Sequence, residues 1–217
     1  MTTTDYIMAG LYSSNDLAGV GLGASIFSPL YFLTAGVMFG IAPIIAQHYG
    51  AKEFDLIKLK TRKFLWVSLL IGILFSFLLF NAGIIINLLG TEEDISIVSL
   101  GYLKAVAFGA IPITLYQGLR NYSEGITQTK IVFIIGALGF ILNIPLNYIF
   151  IFHFGFGGIG CGIATSIISV LGLATIWLAT LFLKQYKQTN IYGKFVLPDI
   201  KSAFELVKIG GPISFGI

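Results

Sequence analysis

LGFILNIPLNYIFIF, Leu138 to Phe152, is an apolar run with two asparagines and a proline through its middle. Asn143 and Asn147 are four residues apart, so a helix puts them on one face. Pro145 lies between them. It donates no backbone hydrogen bond and frees the carbonyl of Ile141 four residues back. Two amides and a loose carbonyl in one apolar segment are tolerable in water. In lipid they are costly unless they have partners or face a cavity.

The rest of the chain places this segment in lipid. Of 217 residues, 56% are hydrophobic and 11% charged, with mean hydropathy +0.91. An ordinary soluble domain has about 25% charged residues. Apolar runs of about 18 residues or more are spanning candidates. Five are complete: Leu17 to Gln47, Phe64 to Leu89, Ile95 to Leu119, Ile131 to Phe152 and Gly158 to Leu183. A stub, Thr4 to Leu11, precedes them, and a further apolar start at Val207 runs to Ile217. The expected fold class is an all-α polytopic helix bundle in a membrane.

Charge in the loops supports this count independently. Lys and Arg in successive loops number 5, 0, 2, 0 and 5, and the second loop carries Glu92, Glu93 and Asp94. This is the positive-inside pattern and predicts that the basic loops face the cytoplasm. Lys104 falls outside the loops, near enough to the acidic side to snorkel toward it. The basic loops report topology rather than nucleic-acid binding, because none is a dense basic patch.

A single cysteine, Cys161, rules out an internal disulfide framework and any cysteine-based metal site. His48 and His153 sit at span ends with no nucleophile at matching depth, so no enzyme is expected. Most of the 26 glycines fit tight helix packing. The glycine run Gly155 to Gly162 reads as a re-entry turn into the next helix, not a nucleotide fingerprint. The polar residues that burial in lipid should exclude are Asp5, Asn143, Asn147, Thr165 and Gln117. Gln117 is expected to be solvated near an interface, and Asp5 stands close to a chain end. Thr165 alone is satisfied by its own helix's carbonyls. The asparagine pair with its proline is the arrangement from which transporters build ion sites. Tyr31, Phe32 and Tyr116 are cavity candidates alongside Gln117, with lipid or core contact the favoured alternative for the aromatics.

Six short stretches then carry a resemblance: DYIMAG (5–10), DLAGV (16–20), APIIAQHYGA (42–51), GLRNYSEG (118–125), NIPLNYIF (143–150) and GGIGCGIAT (157–165). In this order and spacing the chain resembles the N-terminal half of multidrug and toxic compound extrusion (MATE) transporters of the NorM-like branch. The resemblance implies the N-terminal six-helix lobe of a twelve-helix transporter. Residues 1–183 would be that lobe, from the end of helix 1 through helix 6. Residues 184–206 would be a cytoplasmic inter-lobe loop, and 207–217 the start of helix 7.

It implies a secondary active antiporter in the bacterial inner membrane, exporting small amphiphilic or cationic drugs in exchange for sodium ions or protons. No other metal or cofactor is implied. Asp5 matches the family's functional aspartate in helix 1. Asn143, Asn147 and Thr165 match its cation site, with Asn147 where some members have aspartate. Asp5, Asn143, Asn147 and Thr165 are therefore expected to face one another, with Pro145 bending the helix to admit them. The resemblance also implies a missing C-terminal lobe, without which no central cavity forms and no transport is expected. A lipid-linked oligosaccharide flippase of the same superfamily is the runner-up. Its cavity would need more Lys and Arg than these spans hold. A non-transporting membrane fragment is the remaining alternative.

Overall fold

A computed structural model of the chain describes residues 2–193 and 196–215. Among the described residues its regular structure is all helical, with no strand. The helices are α1 (Thr2–Tyr12), α2 (Ser14–Phe39), α3 (Ile41–Gly50), α4 (Phe54–Phe80), α5 (Gly83–Leu89), α6 (Glu93–Gly125), α7 (Thr129–Tyr148), α8 (Gly158–Phe182) and α9 (Ile200–Phe215). A π-helical turn, Ile149–His153, follows α7, and a 3-10 turn, Lys184–Tyr186, follows α8. The expected basic position Lys194 and the terminal residues Gly216 and Ile217 lie outside the described residues.

Five segments are long and apolar enough to cross a membrane: Ser14–Gly50, Phe54–Leu89, Glu93–Gly125, Thr129–His153 and Gly158–Phe182. These correspond to the five expected spans; the first four extend beyond their apolar runs, and the fifth ends one residue short of its expected bound. At about 1.5 Å per residue, the 33-residue α6 is roughly 50 Å long, well over the ~30 Å hydrocarbon core. Its charged ends, Glu93 and Asp94 at one and Arg120 and Glu124 at the other, therefore reach past the apolar layer. Large apolar side chains face outward along the spans, Phe133 at 75% exposure among them. A water-soluble domain would bury such groups, whereas lipid solvates them. By the length and apolarity of these helices this is a multi-pass membrane protein.

The chain divides into two compact units. The first comprises Met1–Tyr31, Ile73–Ile111 and Ala137–Leu171. Small residues bring its helices together: a Cβ on Gly162 of α8 would stand 2.7 Å from the Tyr102 carbonyl of α6. Phe27 stacks on Phe75 with ring centroids 5.6 Å apart. The second unit comprises Phe32–Gly72, Pro112–Gly136 and Gly172–Ile217. Its core joins Met38, Ile45, Phe64, Leu119, Tyr122 and Tyr186.

One boundary differs from expectation. The helix expected to start at Val207 begins at Ile200. Asp199 caps it: its Oδ1 accepts the Ser202 N–H at 2.7 Å, and its carbonyl accepts that of Ala203. An Asp side chain meeting a first-turn amide starts a helix wherever it stands, ahead of the apolar run. Among its described residues, the stretch expected as a loop over 184–206 holds a 3-10 turn, an irregular strap and the first turns of α9.

Candidate functional site

α1 carries Asp5, and α7 carries Asn143 and Asn147 one turn apart. The three meet inside the first unit. Asn147 Nδ2 donates to Asp5 Oδ1 at 2.5 Å, and Asn143 Nδ2 donates to the same oxygen at 3.4 Å. Asn147 also donates to Asn143 Oδ1 at 3.3 Å, tying the pair along the helix. Asp5 is 3% exposed despite standing near a chain end, and both asparagines are fully buried. Cys161 of α8 adds a long contact, its Sγ donating to the Asp5 carbonyl at 3.7 Å.

The donor and acceptor count is unbalanced. Asn147 Oδ1 is buried with no hydrogen-bond partner. None of the ion pairs among the described residues involves Asp5. A carboxylate and an amide oxygen lie together without a cationic side chain against them. Buried acceptors of this kind are expensive unless something supplies positive charge or a proton. Among the described residues no three His, Cys, Asp or Glu side chains converge as a metal site would require. One carboxylate with neutral oxygens suits a hard monovalent cation or a proton better than a transition metal.

The other expected site residues lie elsewhere. Thr165 is half-buried on α8, and its described bond is from its own carbonyl, accepting Ser169 Oγ at 2.7 Å. No hydrogen bond joins its side chain to Asp5, Asn143 or Asn147 among the described residues. Two turns of helix separate it from the fully buried Gly158 end. Pro145 sits within α7, which continues as helix across it. The departure from α-helix comes four residues later, in the π-turn. Phe154 donates to the Ile149 carbonyl there, and π-turns of this kind often stand at functional sites.

Gln117 corrects the expectation of a solvated side chain. It is 4% exposed, and neither of its amide atoms has a partner. The reason is length: α6 runs on to Gly125, so Gln117 lies two turns inside the helix end. Gln117 belongs to the second unit, whereas Asp5 and its partners belong to the first. Tyr31 is half-buried and stacks on Phe27 at 5.6 Å. Tyr116 packs against the second unit's core. A pocket of about 350 Å³ in that unit is lined by Arg62, Leu65, Trp66, Leu69, Leu115 and Tyr192, among others. Tyr31, Tyr116 and Gln117 do not line it.

Against known proteins, the MatE family model matches residues 1–149. The chain belongs to the MatE family. It is 33% identical over 218 residues to the multidrug resistance protein NorM of Photobacterium profundum, covering 99% of this chain and 48% of that protein. It is 33% identical over 223 residues to the multidrug resistance protein MdtK of Klebsiella pneumoniae (strain 342), covering 100% and 49%. The chain spans about half the length of the curated relatives it matches.

Solved structures share the fold. A MOP-superfamily transporter from Pyrococcus furiosus, described as having a binding pocket of reverse polarity, superposes with TM-score 0.88 at 24% identity, over 98% of this chain and 47% of that one. The eukaryotic MATE transporter AtDTX14 superposes with TM-score 0.86 at 17% identity, over the same shares. The MatE fold and the NorM-like character expected from the short stretches are thus both present.

In this MatE chain the second unit holds a different polar network. Tyr122 OH donates to the Thr189 carbonyl at 2.9 Å and lies 2.8 Å from the Thr189 hydroxyl. Arg62 Nε donates to the Ile191 carbonyl at 2.5 Å, and its Nη2 donates to that of Tyr192 at 3.0 Å. Trp66 Nε1 donates to the Val196 carbonyl at 3.0 Å. Lys63 and Lys60 pair with Asp199 and Glu205. These groups tie the strap after α8, and α9, to α4 and α6. Burial pushes the phenols of Tyr186 and Tyr192 above the ordinary tyrosine value.

Proposed function

We propose that this chain is the N-terminal lobe of a secondary active multidrug efflux antiporter. The full protein would export organic cations and other amphiphilic xenobiotics in exchange for sodium ions or protons. Asp5, Asn143 and Asn147 are the cation or proton site, with Thr165 outside their hydrogen-bond network. The observation that carries this reading is the buried Asp5 carboxylate beside the unpartnered Asn147 Oδ1.

The mechanism follows from electrostatics. A carboxylate in a poorly solvated bundle carries its bare charge at a cost, and binding Na⁺ or H⁺ removes that cost. Neutralised Asp5 loses its charge-assisted bond from Asn147, so occupied and unoccupied states favour different packings of α1 against α7. Ion flow then biases alternating access. The basic loops lie on the cytoplasmic side of the bacterial inner membrane, the transported compounds need no chemistry performed on them, and a C-terminal lobe completes the cavity.

The test is Asp5→Asn in the full-length context, with ethidium efflux driven by an imposed sodium or proton gradient. Loss of gradient-driven efflux is expected, with normal membrane abundance. Undiminished coupled efflux would remove Asp5 from this role.

A further inference from the structure

A second carboxylate lies at the corner where α1 turns into α2. Asp16 is 9% exposed. Its Oδ2 accepts the Ser13 hydroxyl at 2.5 Å, and its own N–H donates back to Ser13 Oγ at 3.0 Å. Its Oδ1 reaches 142 residues along the chain to accept the Gly158 N–H at 2.5 Å. Gly158 opens α8, so the carboxylate meets the positive end of a 25-residue helix. Tyr12 OH donates to the Gly155 carbonyl at 3.3 Å across the same junction. The backbone is shaped for this approach: Gly157 has φ +54, and a Cβ there would collide with Asp16 Oδ1.

The junction joins the elements that build the Asp5 cluster. α1 carries Asp5 and ends at Tyr12, seven residues or about 10 Å along the helix. α7 carries both asparagines and leads through the π-turn to Gly155. α8 carries Cys161, whose thiol touches the Asp5 carbonyl. Local hydrogen bonds within α1 or α7 cannot set the distance between these helices. A contact across the corner can.

We propose that Asp16 is a positioning residue. By clamping the α1–α2 corner onto the first amide of α8, it holds Asp5 within reach of Asn143 and Asn147. Its transport consequence rests on the efflux reading above, whereas its structural consequence does not. Both are therefore measured.

The structural readout is the only thiol in the chain. Cys161 is fully buried, and N-ethylmaleimide reaches it only when α1 and α8 part. In the membrane-inserted chain, Asp16→Ala is expected to raise the labelling rate about tenfold. That is the factor by which losing one charge-assisted hydrogen bond shifts a local opening equilibrium. Asp16→Asn keeps an oxygen for the Gly158 amide and is expected to label at the wild-type rate. Ser13→Ala removes only the lateral support and falls between them. In the full-length context, Asp16→Ala is expected to raise the half-saturating concentration of the coupling ion while leaving maximal efflux near wild type.

Wild-type labelling in Asp16→Ala overturns the proposal. So does labelling of Asp16→Asn as fast as that of Asp16→Ala. Should Asp16→Ala fail to insert, Ser13→Ala decides, and unchanged labelling there overturns the proposal. Faster labelling with no gradient-driven efflux even in wild type leaves the clamp standing and removes the transport reading instead.

Discussion

The two polar networks make opposite use of buried hydrogen bonds. Around the strap in the second unit, side-chain donors meet backbone acceptors. Tyr122, Arg62 and Trp66 reach the carbonyls of Thr189, Ile191, Tyr192 and Val196. Each bond satisfies a main-chain group that an irregular segment cannot pair with itself. Around Asp5, two amides donate to a single carboxylate oxygen, and Asn147 Oδ1 is left over. The first arrangement is matched and holds chain in place. The second is mismatched, and under the proposed reading a cation or a proton would complete it. Buried polar networks that are fully satisfied confer rigidity, and partly satisfied ones mark where function departs from stability.

Substitutions at each network sharpen this contrast. The largest effect is expected at the mismatched one. Asn147→Leu removes the 2.5 Å bond to Asp5 and leaves a buried carboxylate short of its main donor. A destabilisation of about 3 kcal/mol is expected, read as a lower thermal midpoint in detergent, together with lost coupling. Asn143→Leu breaks a 3.4 Å bond and should cost distinctly less, about 1 kcal/mol. Equal effects would break the assignment of Asn147 as the principal partner.

At the matched network, Arg62→Lys keeps the charge but loses the fork that reaches two successive carbonyls. Faster proteolysis within residues 187–199 is expected, with no change in the ion dependence of efflux. Tyr122→Phe deletes one hydroxyl between fully packed rings and the Thr189 carbonyl. It should cost about 1–2 kcal/mol on the same thermal scale.

The smallest effect concerns Asp199. The Lys63 ammonium hydrogen-bonds its carboxylate, and Ser202 adds further donors, so its pKa lies well below the usual carboxylate range. A lowered value stabilises the fold above the ordinary carboxylate value of about 3.9. That contribution is lost only as pH falls through the lower folded value. Strap protection from protease is therefore expected to be unchanged between pH 7 and about pH 4.5. Asp199→Asn should show only a slight loss of protection, because the pair is solvent-exposed and screened by salt. A sharp loss near pH 5 would break this reading.

Much of the candidate site was legible in the residues. Four-residue spacing put Asn143 and Asn147 on one face, and the cost of amides in lipid marked that face as needing a partner. Asp5 stands out as a charge that lipid should exclude, but its place near a chain end argued for exposure, and only the resemblance of DYIMAG gave it a role. Gln117 was misjudged because an apolar run ends before its helix does, and α6 continues past Leu119 on polar residues. Thr165 fits the family's short stretch by position, yet no bond ties its side chain to the cluster. Cys161 and Asp16 left no signal in their own surroundings. The contacts that place them across the junction, to the Asp5 carbonyl and the Gly158 amide, reach more than a hundred residues along the chain.

What short-range physics controls is readable from the residues in order. Long apolar runs demand lipid, alternating basic loops predict an orientation, and helical periodicity assigns residues to faces. Tertiary structure alone decided which face meets which. It brought Asp5 to Asn147, sent Asp16 to the amide that opens α8, and left Gln117 buried without a partner. Periodicity fixes where a side chain points around its own helix axis, but the identity of the neighbouring helix depends on contacts between distant parts of the chain.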